Sequence, residues 1–220
     1  MAEVGELLAA RDHVFLDFDG PVCAVFAAVP ALEVAERLKP LVGHALPAEI
    51  VATGDPLDVL AYAATCGPST ARVVERQLGR LEQEAVTSAT PTPGVEELLE
   101  ALVARGFTVT IVSNNSADAV RSFLVLRDLA RHVRGISART TADPAVLKPS
   151  PALLEAAMRS VGAAPRQCVM VGDSARDLEA ARAAGVASIA FAPDPARRAK
   201  LEALCPDAVV GTLADLRLAG

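Results

Sequence analysis

The chain has 220 residues, of which 52% are hydrophobic, with a mean hydropathy of +0.35 and a formal net charge of −6. So apolar a chain of this length can bury a large core, which excludes an intrinsically disordered or acidic-tail protein. The acidic balance supplies no basic field for a nucleic-acid backbone or an anionic membrane, so neither is expected as a partner.

The first residues, MAEVGELLAARDHVF, carry Glu3, Glu6 and Asp12 where a signal peptide needs a basic start and an apolar stretch. His13–Phe18 is a short apolar run ending in acid and Gly, the pattern of a buried parallel strand. Residues 21–92 follow without a convincing strand. They hold four helical stretches, at 25–38, 47–52, 56–66 and 69–86, broken at Pro40, Gly54-Asp-Pro56 and Gly67-Pro68. The segment TSATPTP at 87–93 reads as a linker back into the sheet. From there strand and helix alternate. A helix is expected over 93–106, with Pro near its start and Gly at its end, then a β-branched strand over 107–112. Helix 116–126, strand 133–138, helix 151–161, strand 168–171, helix 175–184, strand 187–191, helix 195–204 and strand 208–210 complete the chain. Repeated strand–helix units predict an α/β fold, a Rossmann-like parallel sheet with helices on both faces. Residues 1–20 and 93–220 form the expected core domain, and 21–92 a small all-helical domain inserted after the first strand.

No uncharged run exceeds 13 residues, short of the roughly 20 a spanning helix needs. The four cysteines, Cys23, Cys66, Cys168 and Cys205, are widely spaced and form no CxxC pair, which suits buried free thiols. A cytoplasmic protein is expected.

Four segments fall at expected strand ends, where open α/β sheets place their ligand crevice. In FLDFDGP (15–21), Asp17 and Asp19 are two apart, so an extended strand points both carboxylates the same way. Two such acids repel unless a cation lies between them or one keeps a proton. Gly20 permits a sharp departure of the chain. In TIVSNNS (110–116), Ser113 and Asn114 precede a helix whose N-terminal N–H groups suit an anion, with Asn115 or Ser116 as the cap. In LKPSP (147–151), Lys148 is one of only three lysines, and prolines fix the backbone beside it. In VMVGDSARD (169–177), Asp173 and Asp177 are four apart at a strand-to-helix turn, a pairing that suits Mg²⁺. Each segment also has a local reading as a turn, a cap or a solvated charge.

Taken together and in order, the four segments resemble the signature motifs of the haloacid dehalogenase-like (HAD) hydrolase superfamily. DFDG matches the first motif, the Ser113 strand end the second, KPSP the third and GDSARD the fourth; PGVEELL and AARAAGV also look like family sequence. The helical insert resembles a type C1 cap. Pro21 departs from the pattern, since Thr or Val is commoner there.

The resemblance implies a Mg²⁺-dependent phosphatase acting on a small phosphorylated metabolite through an aspartyl-phosphate. Asp17 would be the nucleophile and Asp19 the general acid and then base. Mg²⁺ would sit on Asp17, the Asp19 carbonyl and Asp173, with Asp177 orienting that shell. Ser113, Asn114, Gly20 and Lys148 would hold the phosphoryl group. Asp19 argues against a carbon-attacking dehalogenase, which typically lacks that second acid. A β-phosphoglucomutase-like phosphotransferase and a non-catalytic phospho-ligand-binding domain are the alternatives. Candidate cap contacts to the substrate are Arg37, Lys39, His44, Arg72 and Arg76, although Arg72, Arg76 and Arg80 also read as a solvated helix face. Phosphoglycolate, a sugar phosphate or another small ester stay open as substrates, and monomer or homodimer as the assembly.

Overall fold

The computed structural model describes residues 3–43 and 45–218. In chain order the regular elements are α1 (Val4–Ala9), β1 (His13–Leu16), α2 (Ala31–Leu38), α3 (Ala48–Ala52), α4 (Pro56–Thr65) and α5 (Pro68–Ser88). Then come α6 (Val95–Ala104), β2 (Thr108–Ser116), α7 (Ala117–Leu126), β3 (Gly135–Arg139), α8 (Ala152–Val161) and β4 (Cys168–Gly172). The chain continues through α9 (Ala175–Ala184), β5 (Ala187–Phe191), α10 (Pro195–Glu202), β6 (Ala208–Val210) and α11 (Leu213–Leu218).

The six strands form one sheet in the order β3-β2-β1-β4-β5-β6, every neighbouring pair parallel. Alternate residues of each central strand feed opposite faces, as the two-residue period requires. Val14, Leu16, Val109, Ile111, Val169 and Val171 join one apolar cluster with α6, α7 and α11. Phe15, Val112, Cys168 and Met170 join the other, with α8 and α9. That second cluster also takes in Val34, Leu38, Val59, Leu60, Val74, Leu78 and Leu81 from α2, α4 and α5. The helices between β1 and β2 therefore share a continuous core with one face of the sheet. Their entry and exit segments lie side by side: the Thr92 N–H bonds the Val22 carbonyl (2.9 Å), and the Thr92 hydroxyl bonds that of Gly20 (2.5 Å).

Most expected boundaries hold to within two residues, and two move further. The helix expected over 25–38 begins only at Ala31, because the Val25 N–H is taken by the Asp19 side chain (2.9 Å) and Pro30 biases its predecessor away from helix. The strand expected over 107–112 runs on to Ser116, with a register irregularity against β3 between Ser113 and Ser116. Two helices, α1 and α11, were not anticipated; Leu7, Leu8, Leu213 and Leu216 carry them onto the first core cluster. Among the described residues, no helix is long and apolar enough to cross a membrane.

Candidate active site

The sheet reverses its strand order beside β1, so the connections leaving β1 and β4 part in opposite directions and open a crevice at their carboxyl ends. Asp17 stands there one residue past β1, its N–H bonded to the Val171 carbonyl (2.9 Å). It is 7% exposed. Its Oδ1 accepts hydrogen bonds from the Phe18 N–H (2.7 Å) and from Lys148 Nζ (2.8 Å), while Oδ2 receives none among the described residues. Asp19 is half-buried and held by the Val25 N–H. Gly20 then turns the chain at φ +104°, and a Cβ there would lie 2.3 Å from Asp173 Oδ2, so both conformation and contact demand glycine.

The β4 end contributes the facing acids. A Cβ on Gly172 would lie 2.4 Å from the Asp177 side chain, which therefore lies directly against this backbone. Ser174 caps α9, and Asp177 returns a bond to the cap: its Oδ2 accepts from the Ser174 N–H (3.0 Å) and hydroxyl (2.6 Å). Its Oδ1 accepts from Lys148 Nζ (2.5 Å). Lys148, 4% exposed, donates its third bond to the Val112 carbonyl (2.9 Å). Asp173 is paired with Arg197 of α10.

Ser113 and Asn114 line the same crevice. The Ser113 hydroxyl accepts from the Asn115 N–H and donates to the Asn115 side chain, both at 3.1 Å. The Asn114 amide is used twice on the Lys148 backbone, donating to its carbonyl (2.9 Å) and accepting from its N–H (2.8 Å). Ser116, not Asn115, caps α7. The crevice thus brings together all eight residues singled out from the sequence: Asp17, Asp19, Gly20, Ser113, Asn114, Lys148, Asp173 and Asp177.

Electrostatically the cluster is overloaded with acid. Asp17, Asp19, Asp173 and Asp177 face the two cations Lys148 and Arg197, an excess of two negative charges. Burial pushes the Asp17 carboxyl well above the ordinary range, and Asp177 adds to the push while Lys148 opposes it. Burial likewise raises Asp19, and takes Asp173 up to about 7 with help from Asp177. Burial works against the Lys148 ammonium, but Asp17 and Asp177 outweigh it and hold its pKa above the usual lysine value. Carboxylate oxygens of Asp17, Asp173 and Asp177 lie within 4.8 Å of one another. Hard oxygen donors with two charges uncompensated fit a divalent cation such as Mg²⁺.

The crevice is part of a cavity of about 350 Å³, closed on its far side by Phe26, Ala31, Gly54, Asp55, Pro56, Leu57, Leu78 and Glu82. Of the basic residues of the helical insert named as candidate contacts, Arg37, Lys39, Arg72 and Arg76 do not line it. Arg37 pairs with Glu33 on the surface. Lys39 is buried against Glu36 and the Val51 carbonyl. Arg72 and Arg76 are exposed, Arg76 lining a separate cavity with Arg80 and Arg139. His44 lies outside the described residues.

Sequence reading missed a buried pair behind Ser113. Glu82 and Arg139 are each 1% exposed and meet at 2.5 Å. Glu82 also accepts from the Ser116 N–H (2.9 Å) and the Asn115 amide (3.3 Å), and Arg139 donates to the Asn114 carbonyl (3.0 Å) and to Glu75 (2.6 Å). The signal was present: Glu82 falls on the buried stripe Ala71, Val74, Leu78, Ala85, where an acid needs a partner. Arg176, which pairs across the cavity mouth with Asp55 (2.8 Å), was missed for lack of any local pattern.

A Synechococcus elongatus phosphoglycolate phosphatase is 33% identical over 143 residues, 65% of this chain and 63% of that protein. The Escherichia coli K12 phosphoglycolate phosphatase is 30% identical over 124 residues, 56% of this chain and 48% of that one. The chain therefore spans less than two thirds of the length of either relative. A crystal structure of a predicted phosphoglycolate phosphatase from Haemophilus somnus superposes with a TM-score of 0.68 at 20% identity, over 94% of this chain and 96% of that one, a likeness of fold. The family model for haloacid dehalogenase-like hydrolases matches residues 50–191, taking in Ser113, Lys148, Asp173 and Asp177 and beginning downstream of Asp17 and Asp19. With that match over more than half its length, the chain belongs to the haloacid dehalogenase-like hydrolase family.

Proposed function

We propose that the protein is a phosphatase that hydrolyses a small phosphate monoester through an aspartyl-phosphate, with residues 21–92 acting as a cap over the site. The observation that carries this reading is the convergence of Asp17, Asp19, Asp173, Asp177 and Lys148 on one crevice that Ser113 also lines.

Asp17 Oδ2, the oxygen free of hydrogen bonds among the described residues, attacks phosphorus as the ester P–O bond breaks. Asp19, whose burial favours its protonated form, donates that proton to the departing alcohol oxygen. The same carboxylate then takes a proton from water, whose oxygen attacks phosphorus and frees inorganic phosphate and Asp17. Lys148 holds Asp17 in register and offsets phosphoryl charge, while Asp177 and Asn114 hold Lys148. The Ser113 hydroxyl and neighbouring N–H groups receive phosphoryl oxygens.

Asp17, the Asp19 carbonyl and Asp173 would hold Mg²⁺, and both Asp177 oxygens are already engaged by Lys148 and Ser174, which suits an orienting part. Bound there, the ion would neutralise charge on the phosphate and the nucleophile.

The test is inorganic phosphate release from a panel of small esters, with Mg²⁺ or with EDTA, for wild type and Asp17→Asn. Release that needs Mg²⁺ and falls at least about 10³-fold in Asp17→Asn is expected. No release from any ester with the ion bound would overturn the reading.

A further inference from the structure

The wall of the cavity opposite the acids determines which alcohol can leave. Its surface is apolar over Phe26, Ala31, Pro56, Leu57 and Leu78, and its polar groups are Asp55 and Glu82, both acids. Neither has spare capacity. Glu82 is spent on Arg139, Asn115 and Ser116. Asp55 Oδ1 caps α4 by accepting the Leu57 N–H (2.8 Å), and its Oδ2 holds Arg176. Among the described residues, Lys148 and Arg176 are the cations lining the cavity. Lys148 is committed to Asp17 and Asp177. Arg176 is shared by Asp55 (2.8 Å) and Asp58 (3.4 Å), so two carboxylates already surround one guanidinium.

A leaving group bearing its own carboxylate would meet Asp55 directly and would bring a third carboxylate to Arg176, whose single positive charge Asp55 and Asp58 already share. A hydroxyl or hydrocarbon meets no such cost, since it leaves every ion pair intact and covers apolar surface. We propose that, within the phosphatase reading on which this rests, the enzyme prefers phosphate monoesters of small uncharged alcohols, and that Asp55, fixed by Arg176, is the specificity-determining residue that turns away carboxylate-bearing esters. The relatives named for phosphoglycolate make this a sharp claim, because phosphoglycolate carries that carboxylate.

Two esters of nearly equal size isolate the charge: 2-hydroxyethyl phosphate and 2-phosphoglycolate. Acetyl phosphate, with an activated leaving group, reports on the chemistry alone. With Mg²⁺ present, wild-type kcat/KM for 2-hydroxyethyl phosphate should exceed that for 2-phosphoglycolate by about tenfold. In Asp55→Asn, which keeps the cap oxygen, that ratio should shrink at least about threefold, and Asp58→Asn should shrink it less. A thermal melt of each variant separates lost fold from altered choice. Equal or faster turnover of 2-phosphoglycolate by wild type, with acetyl phosphate hydrolysed, overturns the proposal and leaves the phosphatase reading standing. An unchanged ratio in both folded variants overturns the assignment to Asp55. Failure on both esters and on acetyl phosphate overturns both readings together.

Discussion

The sheet wall of the cavity carries four carboxylates, three of them paired with Lys148 or Arg197, with Lys148 donating three hydrogen bonds and Asp177 accepting three. The helical wall is apolar apart from Asp55 and Glu82: the pairs of Arg176 with Asp55 and Asp58 are 34–45% exposed, while Glu82 is buried on Arg139. One wall is held rigid by buried charge and the other is shaped by side-chain packing. Chemistry that needs fixed oxygens belongs on the first, and choice among leaving groups on the second, where a substitution changes shape or charge without unseating the reacting atoms.

The hardest way to break this division is Lys148→Met. It leaves Asp17 and Asp177 buried against each other with no cation between them. Activity on every ester should fall roughly 10²- to 10³-fold, as for loss of one preorganised donor. Without Mg²⁺, stability measured by urea unfolding should drop by about 3–5 kcal/mol, the cost of stranding buried charge. An unchanged urea midpoint would show that the three-way contact of Lys148 holds nothing in place.

Glu82 tests whether the two walls are mechanically joined. It sits on α5 in the helical wall but bonds Asn115, Ser116 and Arg139 behind the sheet wall. Glu82→Ala leaves Arg139 to Glu75 and the Asn114 carbonyl but strips the Ser116 N–H and the Asn115 amide of their acceptor, and should cost about 3 kcal/mol, read as a lower denaturant midpoint at unchanged slope. Glu82→Gln keeps an acceptor for the Ser116 N–H and should recover part of the loss. Equal loss in both variants would place the effect in the charge alone.

Mg²⁺ should act on the sheet wall only. At a concentration a hundred times its Kd, the ion should raise stability by about 2.7 kcal/mol, seen as a higher melting temperature that EDTA reverses. Asp173→Asn should remove the shift and Asp55→Asn should keep it. A shift retained in Asp173→Asn would move the ion off this acid cluster.

The sheet wall was legible in the sequence because parallel strands announce themselves as apolar runs and their ends as abrupt acids: Asp17, Asp19 and Asp173 each follow such a run, whereas Lys148, expected at a strand end, lies in the loop after the Pro144–Val146 turn, nine residues past β3. The helical wall was not, since which face of a helix meets a distant strand depends on packing that no local pattern encodes. Arg176 lies two residues past Ser174 and looks like any helix-surface arginine until Asp55 and Asp58 arrive from over 110 residues away. The start of α2 at Ala31 rather than Val25 has the same cause, because the Asp19 side chain competes for the Val25 N–H. The arginines of the insert fit their local reading as a solvated face, Arg37 pairing with its own-helix neighbour Glu33.

The smallest predicted effect completes the comparison by asking whether the basic face of the insert matters at all. Arg37 and Glu33 have side chains about half exposed, at 48% and 49%, in an i,i+4 pair on α2. Such a pair is screened by water and contributes only tenths of a kcal/mol. Arg72 is exposed on α5 and is absent from the residues lining the cavity. Arg37→Ala and Arg72→Ala should each change stability by less than about 0.5 kcal/mol. Both should leave kcat/KM within about twofold on charged and uncharged esters alike, since that span is only about 0.4 kcal/mol in transition-state binding. A selective loss on an anionic ester in either variant would bring a remote arginine to the substrate. It would mean that the helical wall reads charge after moving over the site, and the division between a wall that reacts and a wall that selects by shape and acid would fail.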